Sequence, residues 1–152
     1  SLIPGLSLTE HMALVSSDGG FVIDQAHAKD EAAKRIERYR VKGIPETKVD
    51  ELSGGNQQRA MLALLRSPLR LLLIEHPTRG LDVTSANWIW ELLQHRREEG
   101  TAIMFISADL DELLERSDRI AVFSGGRLMR IVNSHETTVD ELGYLIGGKD
   151  NA

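Results

Sequence analysis

The sequence predicts an α/β fold with a mainly parallel sheet, and three observations support this prediction. Two short, continuously apolar runs, Leu71–Ile74 and Ala102–Ile106, have the composition of strands that are buried on both faces of a sheet. Between them, the helical pattern of Asp82–Glu99 gives the strand–helix–strand order of parallel sheets. A third apolar run, Ile120–Phe123, follows a short acidic helical segment, Asp109–Arg116, and repeats that order.

The first third of the chain is polar and is predicted to be helical. A short helix, capped by Ser7 or Thr9, is expected to run to about Val15. A longer, highly charged helix is expected from Asp24 to about Lys42, ended by Gly43-Ile44-Pro45, with its charged residues as a solvated face. Its thin apolar stripe is expected to comprise Ala26, Ala33, Ile36 and Tyr39.

The remaining elements follow from caps and turns. Asp82 is the predicted N-cap of the long helix, and Gly100 is its stop. The turn Ser124-Gly125-Gly126 predicts a hairpin into a strand over Arg127–Val132, and a small helix from Thr137 to about Ile146 closes the chain. The apolar face of the long helix is expected to comprise Val83, Ala86, Trp90 and Leu93.

The glycine-rich stretch Leu52–Gln58 is the most informative local pattern, because it lies at the start of a predicted helix. Ser53 is placed as the N-cap of a helix from about Asn56 to Arg66. Gly54 and Gly55 leave backbone N–H groups bare and let a phosphate or another backbone approach closely. A bare Ser-Gly-Gly is more often an ordinary loop before a core helix, so the rest of the pattern must decide.

Composition limits the classes of partner. The chain has 152 residues, no cysteine and a formal net charge of −5. It therefore has no disulfide framework and no basic excess for binding nucleic acid. No apolar run approaches the ~20 residues of a membrane span. The first residues lack an initiator methionine and the basic segment of a signal peptide, so we expect the chain to begin within a longer protein.

A carboxylate ends the first predicted strand, at the edge where parallel sheets bind ligands. Glu75 occupies this place, and in phosphate-transfer enzymes such a carboxylate holds Mg²⁺ directly or through water. A single acidic residue at the end of a strand is weak evidence for a metal site. The order is far more specific: a serine-glycine-glycine helix start, an apolar strand with a terminal acid, Pro77-Thr78-Arg79-Gly80-Leu81-Asp82, and a second buried strand.

With this order the sequence resembles the nucleotide-binding domain of ABC transporters over nearly its whole length. Leu52–Gln58 is similar to the signature motif, Leu71–Glu75 to Walker B and Gly80-Leu81-Asp82 to the D-loop. Ile106–Leu110 falls where the switch-histidine loop lies. The Asn-Gln-Gln ending of the signature, together with Pro77–Asp82, more narrowly resembles the second ATPase domain of tandem subunits that drive import of simple sugars, or of nucleosides in a sister group.

The resemblance implies a partial P-loop NTPase core with a mainly parallel sheet and an N-terminal helical subdomain. We expect residues 1–66 to form the helical subdomain with the signature, and residues 67–152 to form the C-terminal part of the ATPase core. The P-loop portion would be absent from this chain. The implied function is that of the ATP-binding subunit of an importer at the cytoplasmic face of the membrane, with ATP and Mg²⁺ as cofactors. The implied partners are membrane permease subunits, a second ATPase domain and, indirectly, a periplasmic or extracellular solute-binding protein, with no nucleic acid.

The same resemblance gives the signature residues their roles. Two such domains enclose two ATP molecules head to tail. The Ser53 hydroxyl and the amides of Gly54 and Gly55 would contact the γ-phosphate held by the P-loop of the other domain, with Gln57 nearby. Asp82 would act across the dimer seam and link the two sites.

The sequence departs from the family pattern at the catalytic centre. Glu75 stands where Walker B usually has aspartate and is expected to hold Mg²⁺, whereas His76 replaces the catalytic glutamate. Neutral imidazole can accept a proton, but it brings no negative charge beside the metal. Ala108 replaces the switch histidine. The two losses favour a degenerate, weakly hydrolytic site, with a working base or a structural role at His76 as alternatives. The isolated chain is expected to be inactive, because it lacks the P-loop.

Two other functional classes share the serine-glycine-glycine signature or are compatible with it. A chromosome-maintenance or DNA-repair ATPase of the ABC type places a long coiled coil before its signature, but Asp24–Lys42 has no sustained heptad pattern. A docking or regulatory module is compatible with the transport interpretation. Finally, Gly143–Lys149 fits the G-x-x-x-x-G-K pattern of a P-loop, but Asp150 stands where Ser or Thr should, and no buried strand precedes it. We interpret it as a helix C-terminus.

Overall fold

The computed structural model describes residues 2–16, 24–66 and 68–148. The chain divides into two compact units, one of Ser1–Leu72 and Pro77–Met104, the other of Leu73–His76 and Phe105–Ala152. Within the described residues, the α-helices are α1 (Leu8–Ser16), α2 (Gln25–Arg38), α3 (Gly54–Ala63), α4 (Val83–Glu98), α5 (Leu110–Arg116) and α6 (Val139–Ile146). The strands are β1 (Leu71–Glu75), β2 (Ala102–Ile106), β3 (Arg119–Ser124) and β4 (Arg127–Asn133).

The strands β1 and β2 pair with each other. The Ala102 N–H donates to the Arg70 carbonyl at 3.0 Å, and the His76 N–H donates to the Ile106 carbonyl at 2.8 Å. Since one bond joins the two strand starts and the other joins the two strand ends, the strands run in the same direction. The predicted α/β class with a parallel sheet is therefore confirmed. Among the described residues this sheet has two strands, because β3 pairs with β4 in a separate sheet. The prediction that β1 and β2 are buried on both faces was wrong, since exposed side chains alternate with less exposed ones along both strands.

The strands β3 and β4 form the predicted antiparallel hairpin, in which Ser124 pairs with Arg127. Between these residues, Gly125 and Gly126 have φ angles of 55° and 75°. Two consecutive left-handed residues make a type I′ turn, whose twist matches that of the flanking strands. Glycine adopts this conformation at little cost in conformational energy. The glycine pair seen in the sequence therefore sets the register next to the turn, and the register shifts between Val122 and Phe123.

Side-chain caps fix the starts of α1 and α2. The Ser7 N–H and hydroxyl donate to the Glu10 carboxylate at 2.6 and 2.8 Å, and the Glu10 N–H donates back to the Ser7 hydroxyl at 3.2 Å. This capping box lowers the pKa of Glu10, chiefly through the Ser7 backbone N–H. Asp24 caps α2 by accepting from the backbone N–H groups of Ala26 and His27 at 3.1 and 3.0 Å.

The helix α2 ends at Arg38, earlier than the predicted end near Lys42. Arg40 adopts the left-handed conformation with a φ of 51°. The Val41 N–H then donates back to the Ile36 carbonyl at 3.0 Å, which closes the helix. A non-glycine residue at this position gives no helix-stop signal in the sequence, so the predicted boundary was wrong.

The buried face of α2 also differs from the predicted stripe. Ala28 and Ala32 are buried, whereas Ala26 and Ala33 are exposed. Alanines scattered through a charged helix give a weak periodic signal, so the sequence does not set the phase of its buried face. The prediction for Tyr39 holds, since this side chain is buried.

The buried face of α4 contains a charged residue that the apolar pattern could not indicate. Trp90 and Leu93 are buried as predicted, but Val83 is 77% exposed, so its place on the apolar face was wrong. Arg96 is only 3% exposed, and its Nη2 donates to the Tyr39 hydroxyl at 2.6 Å. Its Nε and Nη1 have no hydrogen-bond partner among the described residues.

The second unit has its core between the hairpin and the last two helices. The buried residues are Ile120, Val122, Leu142 and Leu145, and Leu110, Leu113, Leu114 and Val132 pack against them. The stretch from Gly143 to Ile146 belongs to α6, so the pattern that resembles a P-loop begins inside a helix. Lys149 lies outside the described residues.

None of the helices in the described ranges combines the length and apolar character needed to cross a bilayer. The predicted division into a helical subdomain of residues 1–66 and a core of residues 67–152 stays a prediction.

Candidate functional site

The glycine-rich helix start lies in the first unit, where Ser53 occupies the N-cap position of α3. The Ser53 side chain does not cap the helix amides. Instead, its hydroxyl accepts a hydrogen bond from the Asn56 side-chain amide at 2.9 Å, and Asn56 accepts one from the Lys42 N–H at 2.8 Å. The helix begins with the Gln57 N–H, which donates to the Ser53 carbonyl at 2.8 Å. The predicted N-cap position is therefore correct, but the hydroxyl serves a different contact.

Gly54 and Gly55 are the first two residues of α3, and their N–H groups have no acceptor among the described residues. Neither glycine has a left-handed φ. A Cβ added to Gly54 would meet no atom within 4 Å, and one added to Gly55 would make an ordinary contact with Leu81 Cδ2 at 3.4 Å. The chain itself therefore does not require glycine here, and the missing side chains leave the amides open to an outside group.

The two glycines line a pocket of about 360 Å³ within the first unit. The charged residues that line it are Lys42, Arg59 and Asp82. Two cations and the positive end of the α3 dipole against one carboxylate favour an anionic ligand. The other lining residues are Ser53, Asn56, Gly80, Leu81 and Ser85.

Asp82 is the N-cap of α4, as predicted, and it is held by Ser85. Its Oδ1 accepts the Ser85 N–H at 3.0 Å, and its Oδ2 accepts the Ser85 hydroxyl at 2.8 Å. These bonds lower the pKa of Asp82, with the Ser85 backbone N–H as the main cause. The carboxylate therefore keeps its charge and a fixed orientation beside the pocket.

The side chains of the two glutamines of the motif donate hydrogen bonds to backbone carbonyls of the first unit. The Gln57 side-chain amide donates to the carbonyls of Val49 and Leu52 at 3.0 and 3.2 Å. The Gln58 side-chain amide donates to the Pro77 carbonyl at 2.9 Å. Gln57 thus steadies the segment before the helix, and Gln58 joins the helix to the loop that leads to α4.

Glu75 and His76 belong to the second unit, where β1 ends. The His76 Nε2 lies 3.9 Å from the Glu75 Oε1. His76 has a φ of 47°, and this conformation costs a non-glycine residue roughly 1–2 kcal/mol. The described ranges hold no group of three or more His, Cys, Asp or Glu side chains that could bind a metal ion. Glu75 therefore offers one carboxylate, a set that suits Mg²⁺ only beside phosphate oxygens and water.

The loop after β2 is ordered by side chains on both sides of Ala108. The Ser107 hydroxyl donates to the Glu112 carboxylate at 2.6 Å, and the Asp109 N–H donates to the Ser107 hydroxyl at 3.1 Å. Asp109 also caps α5 by accepting the Glu112 N–H at 3.1 Å. Ala108 itself is exposed and brings no polar atom to this loop.

The sequence did not identify Lys42, Arg59 and Ser85 as residues of this site. Lys42 belongs to the stretch predicted as a charged, solvated helix, and only the tertiary fold brings it to the glycines. Arg59 lies one turn after Gly55 on the same helix, so its spacing was a usable signal. Asn56 belongs to the signature-like stretch, and its polar side chain one turn from Ser53 was also a usable signal. Ser85 also had a usable signal, since it lies three residues after the predicted cap Asp82.

Known proteins related in sequence are ATP-binding proteins of importers, although no protein-family model matches the chain. The chain is 39% identical over 160 residues to the nucleoside import ATP-binding protein NupA of Lactococcus lactis, and 33% identical over 158 residues to the ribose import ATP-binding protein RbsA 1 of Rubrobacter xylanophilus. It is 37% identical over 147 residues to the galactose/methyl galactoside import ATP-binding protein MglA of Clostridium perfringens. These alignments cover 99%, 99% and 91% of this chain but only 31%, 32% and 26% of the relatives.

The fold agrees with solved structures of the same class. A metal-chelate-type ABC transporter in an inward-facing conformation matches with a TM-score of 0.78 at 15% identity, over 97% of this chain and 60% of that one. An ATP-binding subunit of an ABC transporter matches with a TM-score of 0.75 at 20% identity, over 97% of this chain and 65% of that one. At these identities the likeness establishes the fold alone. The sequence relatives, which cover nearly the whole chain, identify it as part of an ABC-transporter nucleotide-binding domain, similar to a portion of the ATP-binding proteins of sugar and nucleoside importers.

Proposed function

We propose that this chain supplies the signature half of an ATP site, which another domain completes, in the ATP-binding subunit of an importer for a simple sugar or a nucleoside. The observation that carries the proposal is the glycine pair Gly54 and Gly55, which neither the packing nor the backbone of the chain requires. Bare amides at a helix start, with no side chain in front of them, suit the terminal phosphate of a nucleotide.

In this proposal the residues at the helix start contact the phosphate directly. The amides of Gly54 and Gly55 donate to phosphate oxygens. Because the Ser53 Oγ already accepts from Asn56, its own proton remains available to donate outward. Lys42 lines the same pocket and adds positive charge. Gln57 supports these contacts through the segment before the helix, where it holds two backbone carbonyls.

Asp82 has a different role, because a carboxylate repels phosphate. The proposal assigns it to the seam with the second ATPase domain, where its ionised side chain would meet donors of that domain. Its fixed orientation on Ser85 supports this assignment, since an oriented carboxylate loses less entropy when it binds.

The Walker B end would contribute little to hydrolysis. Bound ATP and Mg²⁺ would supply the phosphoryl chemistry, and Glu75 would offer one carboxylate to the metal. His76 stands at the position of the catalytic glutamate and carries no negative charge, and Ala108 offers no group to a phosphate. We therefore assign this half a degenerate, weakly hydrolytic site.

The proposed setting is the cytoplasmic face of the cell membrane. The chain would bind there through permease subunits, would pair with a second ATPase domain in tandem or as a dimer, and would serve a solute-binding protein indirectly. The relatives named for ribose, galactose and nucleoside import support this setting. The solute itself would be chosen by the other subunits.

A hybrid protein tests the proposal. This chain replaces the matched segment of the Lactococcus relative, and ATP turnover is measured in the hybrid and in its Gly55→Glu variant. We expect the variant to lose turnover, because a carboxylate at the helix start would repel phosphate. Gly143→Glu is the control, since Gly143 likewise lies in a helix, α6, and a Cβ there meets no atom within 4 Å. Equal ATP turnover in the hybrid protein and in its Gly55→Glu variant would contradict the proposal.

The isolated chain provides a second test. Titration calorimetry with ATP and Mg²⁺ should detect no micromolar binding to residues 1–152, since the P-loop that cradles the phosphates is not in this sequence. Micromolar binding would mean that the chain forms a complete site, contrary to the proposal.

A further inference from the structure

We infer that Arg59 is a positioning residue, which fixes the helix start of α3 relative to the start of α4 and so sets the geometry of the nucleotide site. The inference rests on the proposed function and adds a residue to it. Arg59 lines the pocket with Gly55 and Asp82. It lies one helical turn after Gly55, so both residues belong to the same face of α3.

Three contacts hold the Arg59 guanidinium, one from the segment after α2 and two from α4. Its Nη1 donates to the Arg40 carbonyl at 3.0 Å, where the chain has just left α2. Its Nη2 donates to the Ser85 hydroxyl at 3.4 Å, in the first turn of α4. Its Cζ lies 4.7 Å from the centroid of the Trp88 ring, one turn further along α4. Arg59 therefore joins three elements through one planar group.

The contact with Ser85 reaches both sides of the proposed site. The Ser85 hydroxyl donates to the Asp82 carboxylate at 2.8 Å. The same oxygen lies 4.0 Å from the point where a Cβ of Gly55 would stand. Holding Ser85 thus fixes the spacing between the Gly55 backbone and Asp82. Two of the five guanidinium N–H groups donate within the chain, one from Nη1 and one from Nη2, and these bonds fix the orientation of the group at the pocket. Arg59 thus positions the site in addition to the positive charge that it adds to the pocket.

The Trp88 ring is itself supported on another side, which makes it a rigid platform. The Tyr39 ring meets it edge to face at 6.5 Å with an interplanar angle of 74°. The Tyr39 hydroxyl accepts from the buried Arg96 at 2.6 Å. A planar guanidinium can stack on such a platform while its two Nη groups donate in fixed directions, whereas an ammonium group has a single nitrogen and cannot reproduce that arrangement. The site therefore requires arginine rather than positive charge alone.

The first test uses the isolated chain and does not depend on nucleotide. The backbone amide spectra of Arg59→Lys and Arg66→Lys are compared with that of the parent. Arg66 is the matched control, since it also donates to a backbone carbonyl, that of Val15, at 3.0 and 2.6 Å. We expect the amide resonances of Gly55 and Ser85 to shift in Arg59→Lys and to stay unchanged in Arg66→Lys. Unchanged Gly55 and Ser85 resonances in a folded Arg59→Lys variant would overturn the inference.

The second test measures ATP turnover in the hybrid protein. Arg59→Lys should lower it at least about tenfold, because misplacing a contact by about 1 Å costs up to ~10²-fold. Trp88→Phe, which keeps an aromatic face, should retain most of the turnover, and Arg66→Lys should retain all of it. Equal turnover in Arg59→Lys and Arg66→Lys would overturn the inference. A hybrid with no turnover in any variant would count against the proposed function instead, and the amide spectra would still decide the role of Arg59.

Discussion

The side-chain amide of Asn56 donates a hydrogen bond to the Ser53 hydroxyl at 2.9 Å, across one turn at the start of α3. Serine at an N-cap normally accepts from a backbone N–H of the first turn. Ser53 does not accept such a hydrogen bond. The first backbone N–H groups of the helix and the hydroxyl proton of Ser53 therefore stay available to donate to a ligand. The local stability that a cap would give is absent at the point where the proposed phosphate contacts lie.

Replacing Ser53 with alanine should therefore cost the isolated chain little. We expect the free energy of unfolding to fall by less than ~0.5 kcal/mol, because no amide cap is lost. Asp24→Ala, which removes a cap that accepts from two backbone N–H groups, should cost about 1 kcal/mol. Urea denaturation of the two variants measures this difference. A Ser53→Ala cost equal to that of Asp24→Ala would show that the hydroxyl does cap the helix.

Alanine at position 54 should stabilise the isolated chain and impair the intact site. Its Cβ would meet no atom within 4 Å, and alanine in a helix gains up to ~1 kcal/mol over glycine. In the hybrid protein the same methyl group would stand before the phosphate, so turnover should fall. Gly80→Ala is the contrasting control, since Gly80 has a φ of 74° and alanine there should be destabilising by roughly 1–2 kcal/mol. Thermal unfolding of the isolated chain measures the expected gain in stability, and ATP turnover of the hybrid protein measures the expected loss of activity.

Restoring the family residues at the catalytic centre should require both changes. His76→Glu alone should leave turnover of the hybrid protein within about twofold, whereas His76→Glu with Ala108→His should raise it by ~10²-fold, the usual range of a positioned general base. The reason is that Ala108 leaves its loop without a group for the phosphate. Single-turnover kinetics at saturating ATP would separate chemistry from binding. A large gain from His76→Glu alone would refute the requirement for the second change.

The contribution of Asp82 to stability should vary with pH in acid. The pKa of Asp82 is lowered from its ordinary value of 3.8 by its hydrogen bonds to Ser85. A carboxyl group whose folded pKa lies below its unfolded pKa stabilises the fold fully above the unfolded value, and this stabilisation is lost as the pH falls through the folded value. Asp82→Asn keeps a cap oxygen but cannot titrate. Its free energy of unfolding should therefore fall less than that of the parent between about pH 5 and about pH 2. Asp111→Asn, at an exposed position of α5, is the control for the exchange of aspartate for asparagine itself.

The sequence was sufficient where one strong local signal decided the structure. The continuous apolar run of β2 gave its bounds without error, and β1 ends at the acidic Glu75, as predicted. The glycine pair of the hairpin predicted its turn, because two left-handed residues are cheap only for glycine. Asp82 caps α4 as predicted, and Asp24 and Asp109, which were predicted only as the first residues of helices, are the N-caps of α2 and α5.

Sequence reasoning failed where the determining partner lies far along the chain. The end of α2 depends on the left-handed Arg40, whose carbonyl is held by Arg59. Arg96 is buried because Tyr39 accepts its hydrogen bond across a separation of 57 residues. The pocket around the signature glycines likewise joins segments from Lys42 to Ser85. Periodicity and propensity describe neighbours within one helix turn, so they carry no information on such contacts.

The alternating exposure of β1 and β2 has a practical consequence for handling the protein. Leu71 and Leu73 are 55% and 65% exposed, and Met104 and Ile106 are 52% and 58% exposed. Such bare aliphatic surface favours precipitation and adsorption during purification. Leu73→Thr and Met104→Thr would place a β-branched residue suited to a strand at each position and would reduce the exposed apolar surface. Neither residue lines the pocket at the signature glycines. The double variant should therefore be more soluble and should keep the properties of the site that the amide spectra and ATP titrations measure.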